Sequence, residues 1–173
     1  MREVDYVCGA ALLMHRSVPE AIGSLEERFF LFWEESDFCM RAQRAGFSVW
    51  TAPQAKVWHK VSAAFVGGKP HAQYFWWRSR LLWIERNCSR RDQRQIYFSI
   101  VMPEMWKWLR HWLMKELQCL GMQLLGRSHR IEALEKRRRY RAGMGGVRDY
   151  VFRRFGNAPG WVVGTSCFAR KAR

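Results

Sequence analysis

The net positive charge of this 173-residue chain lies entirely in its C-terminal part. Residues 1–72 carry eight basic and eight acidic side chains, whereas residues 73–173 carry 22 basic and seven acidic ones, and therefore the whole net charge of +15. Six of the ten tryptophans lie between Trp76 and Trp112, inside the basic part. The sequence thus divides into a neutral portion and a basic, tryptophan-rich portion that can serve different functions.

Composition excludes several classes of protein. Hydrophobic residues make up 49% of the chain and aromatic residues 15%, which is too much apolar surface for a disordered polycation. The length suits one domain with a hydrophobic core. The five cysteines are widely spaced and form no C-x-x-C pair, so they predict neither a zinc ribbon nor a disulfide framework. Residues 1–5 lack the pattern of a secretory signal, and we expect a cytoplasmic protein.

Apolar runs and helical segments alternate in the neutral portion. Val4–Met14 is a continuous apolar run that predicts a strand buried on both faces, and Gly9 suggests that the backbone there passes close to another group. Helices are predicted at residues 17–23 and 34–44, and two more strands at residues 47–53 and 55–62. This alternation indicates an α/β fold.

Three acidic residues open the second predicted helix, directly after the aromatic run Phe29–Trp33. They are Glu34, Glu35 and Asp37. An apolar wall can raise the pKa of a carboxyl group toward that of a useful base. Acidic residues also interact favourably with a helix N-terminus, and spacing alone favours that simpler role. His59 is a lone histidine, which indicates a metal site only if another feature brings it to the carboxylates.

Five blocks of the neutral portion follow one another in the order of a known family. They are Val4–Ala11, Leu25–Phe30, Glu34–Arg41, Arg44–Phe47 and Pro53–Lys60. Together with His71–Asn87, this order resembles the C-terminal half of the family 2 glycosyltransferases, most closely the rhamnosyltransferase-like group that builds bacterial surface polysaccharides. Arg141–Gly156 resembles the glycine-containing tail segment that ends many of these enzymes.

The resemblance implies a fold with two parts. Residues 1–90 would form a partial GT-A (Rossmann-like) α/β domain that lacks its N-terminal nucleotide-binding half. Residues 91–173 would form an α-helical, basic tail. The family holds its metal with an Asp-x-Asp segment, and no such triplet occurs in this chain. We therefore expect a truncated glycosyltransferase that is inactive alone.

The resemblance also implies a reaction and its site residues. A sugar such as rhamnose would pass with inversion from a nucleotide sugar to a lipid-linked or polysaccharide acceptor in cell-surface glycan synthesis. The acceptor proton would be taken by Glu35, which is paired with Glu34, and Asp37 would complete the catalytic set. The implied acceptor-binding residues are Trp33, Gly9 and Arg78. His59 would help hold a divalent Mn²⁺ or Mg²⁺ ion on the donor diphosphate. Two alternatives remain: Trp33 can be a core residue, and Arg78 can be a solvated helix arginine.

The basic portion contains a strongly amphipathic segment, Pro103–Gly126. Its apolar stripe consists of Trp106, Leu109, Leu113, Leu117, Leu120 and Leu124. Together with the cationic run Lys136–Arg141, the stripe predicts peripheral binding to an anionic membrane at the inner face of the cell membrane. The helix could instead pack within the protein or against a partner. In a further alternative, the chain is a non-catalytic cationic module that binds membrane, or nucleic acid through Arg127–Arg141. The sequence contains no nucleic-acid motif, which favours the membrane.

Overall fold

The computed structural model describes residues 1–59, 70–126 and 131–163, which are mostly helical. The helices are α1 (Ser17–Ile22), α2 (Glu34–Arg44), α3 (Pro70–Asn87), α4 (Arg90–Ile96), α5 (Met102–Leu124), α6 (Ile131–Val151) and α7 (Gly160–Val163). A π-helical turn, Tyr97–Val101, links α4 to α5. Two short strands, β1 (Arg2–Glu3) and β2 (Trp50–Thr51), pair antiparallel, with Arg2 opposite Thr51 and Glu3 opposite Trp50.

The prediction of a buried strand at Val4–Met14 is wrong. Most of this segment is exposed, and its regular structure is a single 3₁₀ turn at Gly9–Ala11. Leu13, for example, is 96% exposed. A buried strand needs neighbours that pair with its backbone and cover both faces. Among the described residues, backbone pairing reaches only from β1 to Val4, whose N–H donates to the carbonyl oxygen of Val49 at 3.0 Å.

The other predicted strands are also shorter than expected. The strand expected at 47–53 is reduced to β2, and the described part of the strand expected at 55–62 is exposed and irregular. Residues 60–62 lie outside the described residues. A parallel sheet is therefore not seen in the described part of the chain, and the GT-A architecture remains a prediction, whereas the helical nature of the basic portion is confirmed.

Helix α3 is at the centre of the molecule and is buried along most of its length. One cluster joins Tyr74 and Phe75 of α3 to Ala142 of α6 and Val162 of α7. A second cluster joins α3 to the π-helical turn before α5, and its buried members are Trp77, Leu81, Ile84 and Val101. Since α3 precedes residue 90 and α6 follows it, the two predicted parts share a hydrophobic core. The boundary at residue 90 stays a prediction.

Helix α6 approaches α3 closely because it carries glycine at the crossing. A Cβ atom on Gly146 would collide with the backbone carbonyl oxygen of Tyr74. A Cβ atom on Gly143 would stand 2.8 Å from the ring of Trp108 and 3.0 Å from the ring of Trp77. The glycine-containing segment predicted from the family pattern is thus a helix–helix contact in this structure.

Candidate functional site

The aromatic run before α2 holds three bulky residues in the left-handed backbone region. They are Phe30, Phe32 and Trp33, with φ values of 62°, 64° and 71°. Each such residue costs about 1 to 3 kcal/mol, and residues of this kind cluster at functional sites. The hydroxyl of Ser79 in α3 lies within hydrogen-bond distance of two carbonyl oxygens of the run, at 2.9 Å from Phe29 and 2.8 Å from Leu31. Helix α3 therefore supports the strained conformation.

Trp33 lies between two other tryptophans. Its ring centroid is 5.4 Å from that of Trp76 and 5.4 Å from that of Trp83, both in α3. Trp76 is 42% exposed, so this aromatic group reaches the protein surface. The indole Nε1 atoms of Trp33 and Trp83 are buried and find no hydrogen-bond partner within the described residues.

Glu34 and Glu35 follow Trp33 in the first turn of α2. Each carboxyl group has one buried oxygen, Oε2, without a hydrogen-bond partner in the described part of the chain. Burial raises the pKa of Glu34; a hydrogen bond from its own backbone N–H opposes this shift, and the charge of Glu35 adds to it. Glu35 also lies against the 3₁₀ turn, where a Cβ atom on Gly9 would stand 3.4 Å from its Cβ.

Asp37 is fully buried, and both of its oxygens are used. Oδ2 accepts a hydrogen bond from Arg41 Nε at 2.9 Å, while Oδ1 accepts bonds from Arg86 Nε at 3.0 Å and Asn87 Nδ2 at 2.9 Å. Burial alone would raise the pKa of Asp37, but the three hydrogen bonds outweigh it and hold the pKa below its ordinary value. Asp37 thus ties the first turn of α2 to α3.

Arg78 is fully buried among aromatic rings rather than exposed on a helix surface. Its guanidinium carbon lies 4.8 Å from the ring centroid of Phe75 and 5.9 Å from that of Phe155. One nitrogen, Nη1, is 3.4 Å from the hydroxyl of Tyr74, which donates to Asp149 at 2.7 Å. Burial lowers the pKa of Arg78. Nε and Nη2 have no partner among the described residues.

His59 is exposed and is the last described residue before position 70. No hydrogen bond or ion pair within the described ranges links it to Glu34 or Glu35. Those ranges also contain no group of three or more His, Cys, Asp or Glu side chains that could hold a metal ion. The metal role of His59 stays a prediction, since the described residues give it no complete ligand set.

The structure brings some of the predicted site residues together. Gly9 contacts Glu35, which follows Trp33 and Glu34 in the chain, and we call these four residues the acidic turn. Asp37 lies beneath it, Arg78 points toward Phe75 and Phe155, and His59 is separate. The sequence analysis missed three contributors on α3, namely Trp76, Ser79 and Trp83. Their spacing places them on neighbouring turns of one helix, which was the available signal.

Known proteins of related sequence are glycosyltransferases. The chain is 25% identical over 134 residues to a low-salt glycan biosynthesis hexosyltransferase of Haloferax volcanii, which covers 76% of this chain and 44% of the relative. It is 28% identical over 100 residues to an N-acetylglucosaminyl-diphospho-decaprenol L-rhamnosyltransferase of Mycobacterium tuberculosis, covering 49% of this chain and 33% of the relative. The chain is related to glycosyltransferases. It spans less than half the length of these curated relatives.

No protein-family model and no solved structure matches this glycosyltransferase-like chain. The relationship therefore rests on the two kinds of curated relative, and the resemblance seen in the ordered sequence blocks is confirmed at the level of glycosyltransferases.

Proposed function

We propose that this chain supplies the acceptor-binding and proton-accepting side of an inverting sugar transfer. The donor is a nucleotide sugar, and the acceptor is a lipid-linked or polysaccharide glycan of the cell surface. The observation that carries the proposal is the acidic turn, where Glu34 and Glu35 each keep a buried carboxyl oxygen with no hydrogen-bond partner among the described residues. Buried polar atoms are normally hydrogen-bonded, so atoms left without partners indicate a place for a ligand.

In this mechanism Glu35 accepts the proton of the acceptor hydroxyl. The acceptor oxygen forms a bond to the anomeric carbon of the donor sugar, and the bond from that carbon to the nucleotide diphosphate breaks, so the leaving group takes the electron pair. Glu34 contributes a second carboxyl group beside the base. Asp37 is a positioning residue, because its three hydrogen bonds fix the first turn of α2 against α3. A positioned base of this kind contributes roughly 10²- to 10⁴-fold to the rate.

The family implies a divalent metal on the donor diphosphate, but the described residues do not fit one. Within the described ranges His59 belongs to no group of three or more His, Cys, Asp or Glu side chains that could hold a metal ion, and Mg²⁺ and Mn²⁺ are usually held through carboxylates. No step of the mechanism is therefore routed through a metal in this chain. For the same reason, we expect the isolated 173-residue chain not to bind a nucleotide sugar in the presence of Mn²⁺ or Mg²⁺.

The acceptor class follows from the relatives. One of them is named for transfer of rhamnose to N-acetylglucosaminyl-diphospho-decaprenol, which is a lipid-linked sugar. The other is named for hexosyl transfer in glycan biosynthesis. A lipid-linked saccharide is therefore the acceptor that we propose, and a hexose or deoxyhexose is the sugar transferred.

A substitution of the base tests the catalytic proposal. In membranes of cells that produce the chain joined to the nucleotide-binding half that the resemblance implies, Glu35→Gln is expected to lower transfer of labelled sugar from nucleotide sugar to lipid at least about a hundredfold. Glu20→Gln is the matched control, because Glu20 is an exposed glutamate of α1 whose only described ion pair, with Arg16, is on the surface. Undiminished transfer by Glu35→Gln would remove Glu35 as the base.

Membrane association is supported by the exposed stripe on α5. Trp106 is 62% exposed, Leu117 67% and Leu124 87%, and Leu113 and Leu120 are also exposed. An adjoining side of the helix packs on α6, where Trp108 contacts Tyr140 and Arg137 binds Glu116. The apolar stripe therefore faces away from the protein, and Lys107 and Arg110 flank it. No helix among the described residues meets the length and hydrophobicity needed to cross a bilayer.

Anionic vesicles test this second proposal. The protein is expected to sediment with phosphatidylglycerol vesicles at low salt and to be released at high salt, because screening weakens attraction between the basic face and the lipid headgroups. Leu117→Glu combined with Leu120→Glu should abolish binding, whereas the control Leu13→Glu, at an exposed site in the neutral portion, should not. If a generic oligonucleotide displaced the protein from vesicles at equal charge, the nucleic-acid alternative would be favoured instead.

A further inference from the structure

Helix α4, the π-helical turn and helix α5 form one uninterrupted helical segment. Their limits, Arg90–Ile96, Tyr97–Val101 and Met102–Leu124, follow one another without a break. The residues at both junctions have right-handed helical backbone angles. A helix of this length extends about 50 Å. The exposed face of α5 can therefore be followed back through the turn into α4.

Two exposed apolar residues continue the stripe of α5 toward α4. Phe98 is 70% exposed and Met102 48%, and Trp106, where the stripe begins, follows at the same spacing of four residues. Residues four apart lie on neighbouring turns of one helix face. The inward side of the same stretch is buried against α3 through Val101. The exposed apolar face therefore begins at Phe98 and runs to Leu124.

Two exposed arginines of α4, Arg91 and Arg94, lie at the start of this face. Their side chains form no hydrogen bond or ion pair within the described residues. They precede Phe98 by seven and four residues, which is the spacing of one helix face. Asp92, the one acidic residue in the sequence of α4, accepts a hydrogen bond from Ser89 at 2.7 Å. The face thus carries positive charge at one end and apolar side chains along the rest.

We infer that this whole face, from Arg91 to Leu124, docks on the surface of a lipid bilayer and that its two arginines bind lipid phosphate groups. We call it the docking face. The inference rests on the proposed membrane association and deepens it by adding α4 and by naming the lipid group that is recognised. A guanidinium group donates two parallel hydrogen bonds to a phosphate. Phe98 and Met102 would enter the boundary between headgroups and acyl chains, as the apolar side of an interfacial helix does.

Two other occupants match the docking face less well. A second copy of this chain would bring the same arginines and a further net charge of +15, and like charges oppose association. A nucleic acid would pair with Arg91 and Arg94 through its phosphates, but it would leave the apolar length of the face in water. A bilayer surface offers phosphate and hydrocarbon side by side, so it matches both parts of the face.

Helix α4 is held to the end of α3, which connects the docking face to the proposed catalytic base. The side-chain amide of Gln93 donates to the carbonyl oxygens of Glu85 at 3.1 Å and Cys88 at 2.9 Å. At the same end of α3, Asn87 donates to the carboxylate of Asp37 in α2. The docking face and the first turn of α2 are therefore parts of one hydrogen-bonded framework, which suits an acceptor carried by a lipid.

Matched pairs of charge variants test the arginines by sedimentation with phosphatidylglycerol vesicles. Arg91→Gln combined with Arg94→Gln is expected to weaken binding roughly fivefold for each arginine. Arg2→Gln combined with Arg16→Gln is the control, because it removes the same charge at exposed sites of the neutral portion, and it should leave binding nearly unchanged. Equal binding by the two double variants would show that charge at α4 has no special part, and it would overturn the phosphate contact.

A second pair of variants tests the apolar extension. Phe98→Ser is expected to weaken binding to the same vesicles about tenfold, because it removes a large apolar side chain from the bilayer surface. Tyr6→Ser, at an aromatic residue that is 59% exposed in the neutral portion, should leave binding unchanged. If Phe98→Ser bound as tightly as Tyr6→Ser, the docking face would not extend beyond α5.

Competition separates lipid phosphate from other sources of phosphate. At matched ionic strength, neither inorganic phosphate nor an oligonucleotide is expected to release the protein from vesicles, because neither covers the apolar part of the face. Release by inorganic phosphate would reveal an anion site without a membrane role, and release by the oligonucleotide would favour nucleic acid. Either result would overturn the docking face.

The docking face and the membrane association on which it rests can fail separately. Loss of binding in Leu117→Glu combined with Leu120→Glu, without any effect of the changes at Arg91, Arg94 and Phe98, would keep the membrane association and overturn its extension to α4. If none of these variants altered binding, both would be overturned. The catalytic role of Glu35 is measured by sugar transfer and does not depend on either result.

Discussion

The side chain of Glu35 lies directly over the backbone of Gly9. A Cβ atom at position 9 would stand 3.4 Å from Glu35 Cβ and 3.7 Å from its carboxyl carbon. The two residues are 26 positions apart, in the 3₁₀ turn and in the first turn of α2. This contact restrains one side of the proposed base and leaves its Oε2 atom without a hydrogen-bond partner among the described residues.

Position 9 therefore tolerates one methyl group and no more. Gly9→Ala is expected to leave transfer in the membrane assay nearly unchanged, because 3.4 Å is an ordinary contact. Gly9→Val is expected to displace the Glu35 carboxyl group and to lower transfer by up to about a hundredfold, as a misplacement of about 1 Å does in a positioned site. Thermal unfolding of both variants checks that the fold persists. Equal transfer by the two variants would show that Gly9 does not position Glu35.

Asp37 should contribute to stability. Its carboxylate is buried and accepts hydrogen bonds from Arg41, Arg86 and Asn87. Asp37→Asn removes the carboxylate charge that Arg41 and Arg86 contact. We therefore expect the free energy of unfolding in urea at pH 7 to fall by about 3 kcal/mol.

The pH dependence of that loss has a definite sign. The pKa of Asp37 lies below its ordinary value of 3.8 in the folded protein, so its contribution is complete above that value and disappears as the pH falls through the lowered folded pKa. The difference between the wild type and Asp37→Asn should accordingly shrink only in strong acid. A difference that is constant from pH 7 to the acid limit would contradict the ion-pair role.

Glu34 should show the opposite dependence. Burial raises its pKa above the ordinary value of 4.5, so the folded protein holds this proton more tightly than the unfolded chain does. The free energy of unfolding therefore falls as the pH rises across the window above 4.5. Glu34→Gln does not ionise, and we expect it to be more stable than the wild type in urea at pH 7, with the advantage vanishing near pH 4. If Glu34→Gln were less stable than the wild type at pH 7, burial could not be the dominant cause of the raised pKa of Glu34.

Helix limits could be predicted from sequence because local chemistry sets them. The prediction of α2 at residues 34–44 is confirmed: three acids open the helix, and Gly46, with a φ of 89°, follows its end. The apolar stripe of α5 was equally visible, since helical spacing places its leucines on one face. That this face is exposed depends on which side of α5 meets α6, and this packing had to come from the structure.

Contacts between distant segments could not be predicted in this way. The strand expected at Val4–Met14 depends on neighbours that a single run of residues cannot specify. Ser79 supports carbonyl oxygens about 50 positions earlier in the chain, and Trp83 meets Trp33 across the same separation. Composition showed many tryptophans near α3, but the partner of each ring is a property of the folded chain.

The crossing of α6 over α3 yields the last prediction. A Cβ atom on Gly146 would collide with the carbonyl oxygen of Tyr74. The obstacle is backbone, so no rotamer change relieves it, and Gly146→Ala should lower the free energy of unfolding in urea by about 2 to 3 kcal/mol.

Two other glycines serve as controls for this crossing. Gly121 lies inside α5 with nothing within 4 Å of the Cβ position, so Gly121→Ala should stabilise the protein by about 0.5 to 1 kcal/mol through helix propensity. A Cβ atom on Gly145 would meet Trp161 and Tyr74 at 3.6 Å, an ordinary contact, and Gly145→Ala should not lower stability. If Gly146→Ala did not lower the free energy of unfolding either, the close backbone approach of α6 to α3 would be wrong.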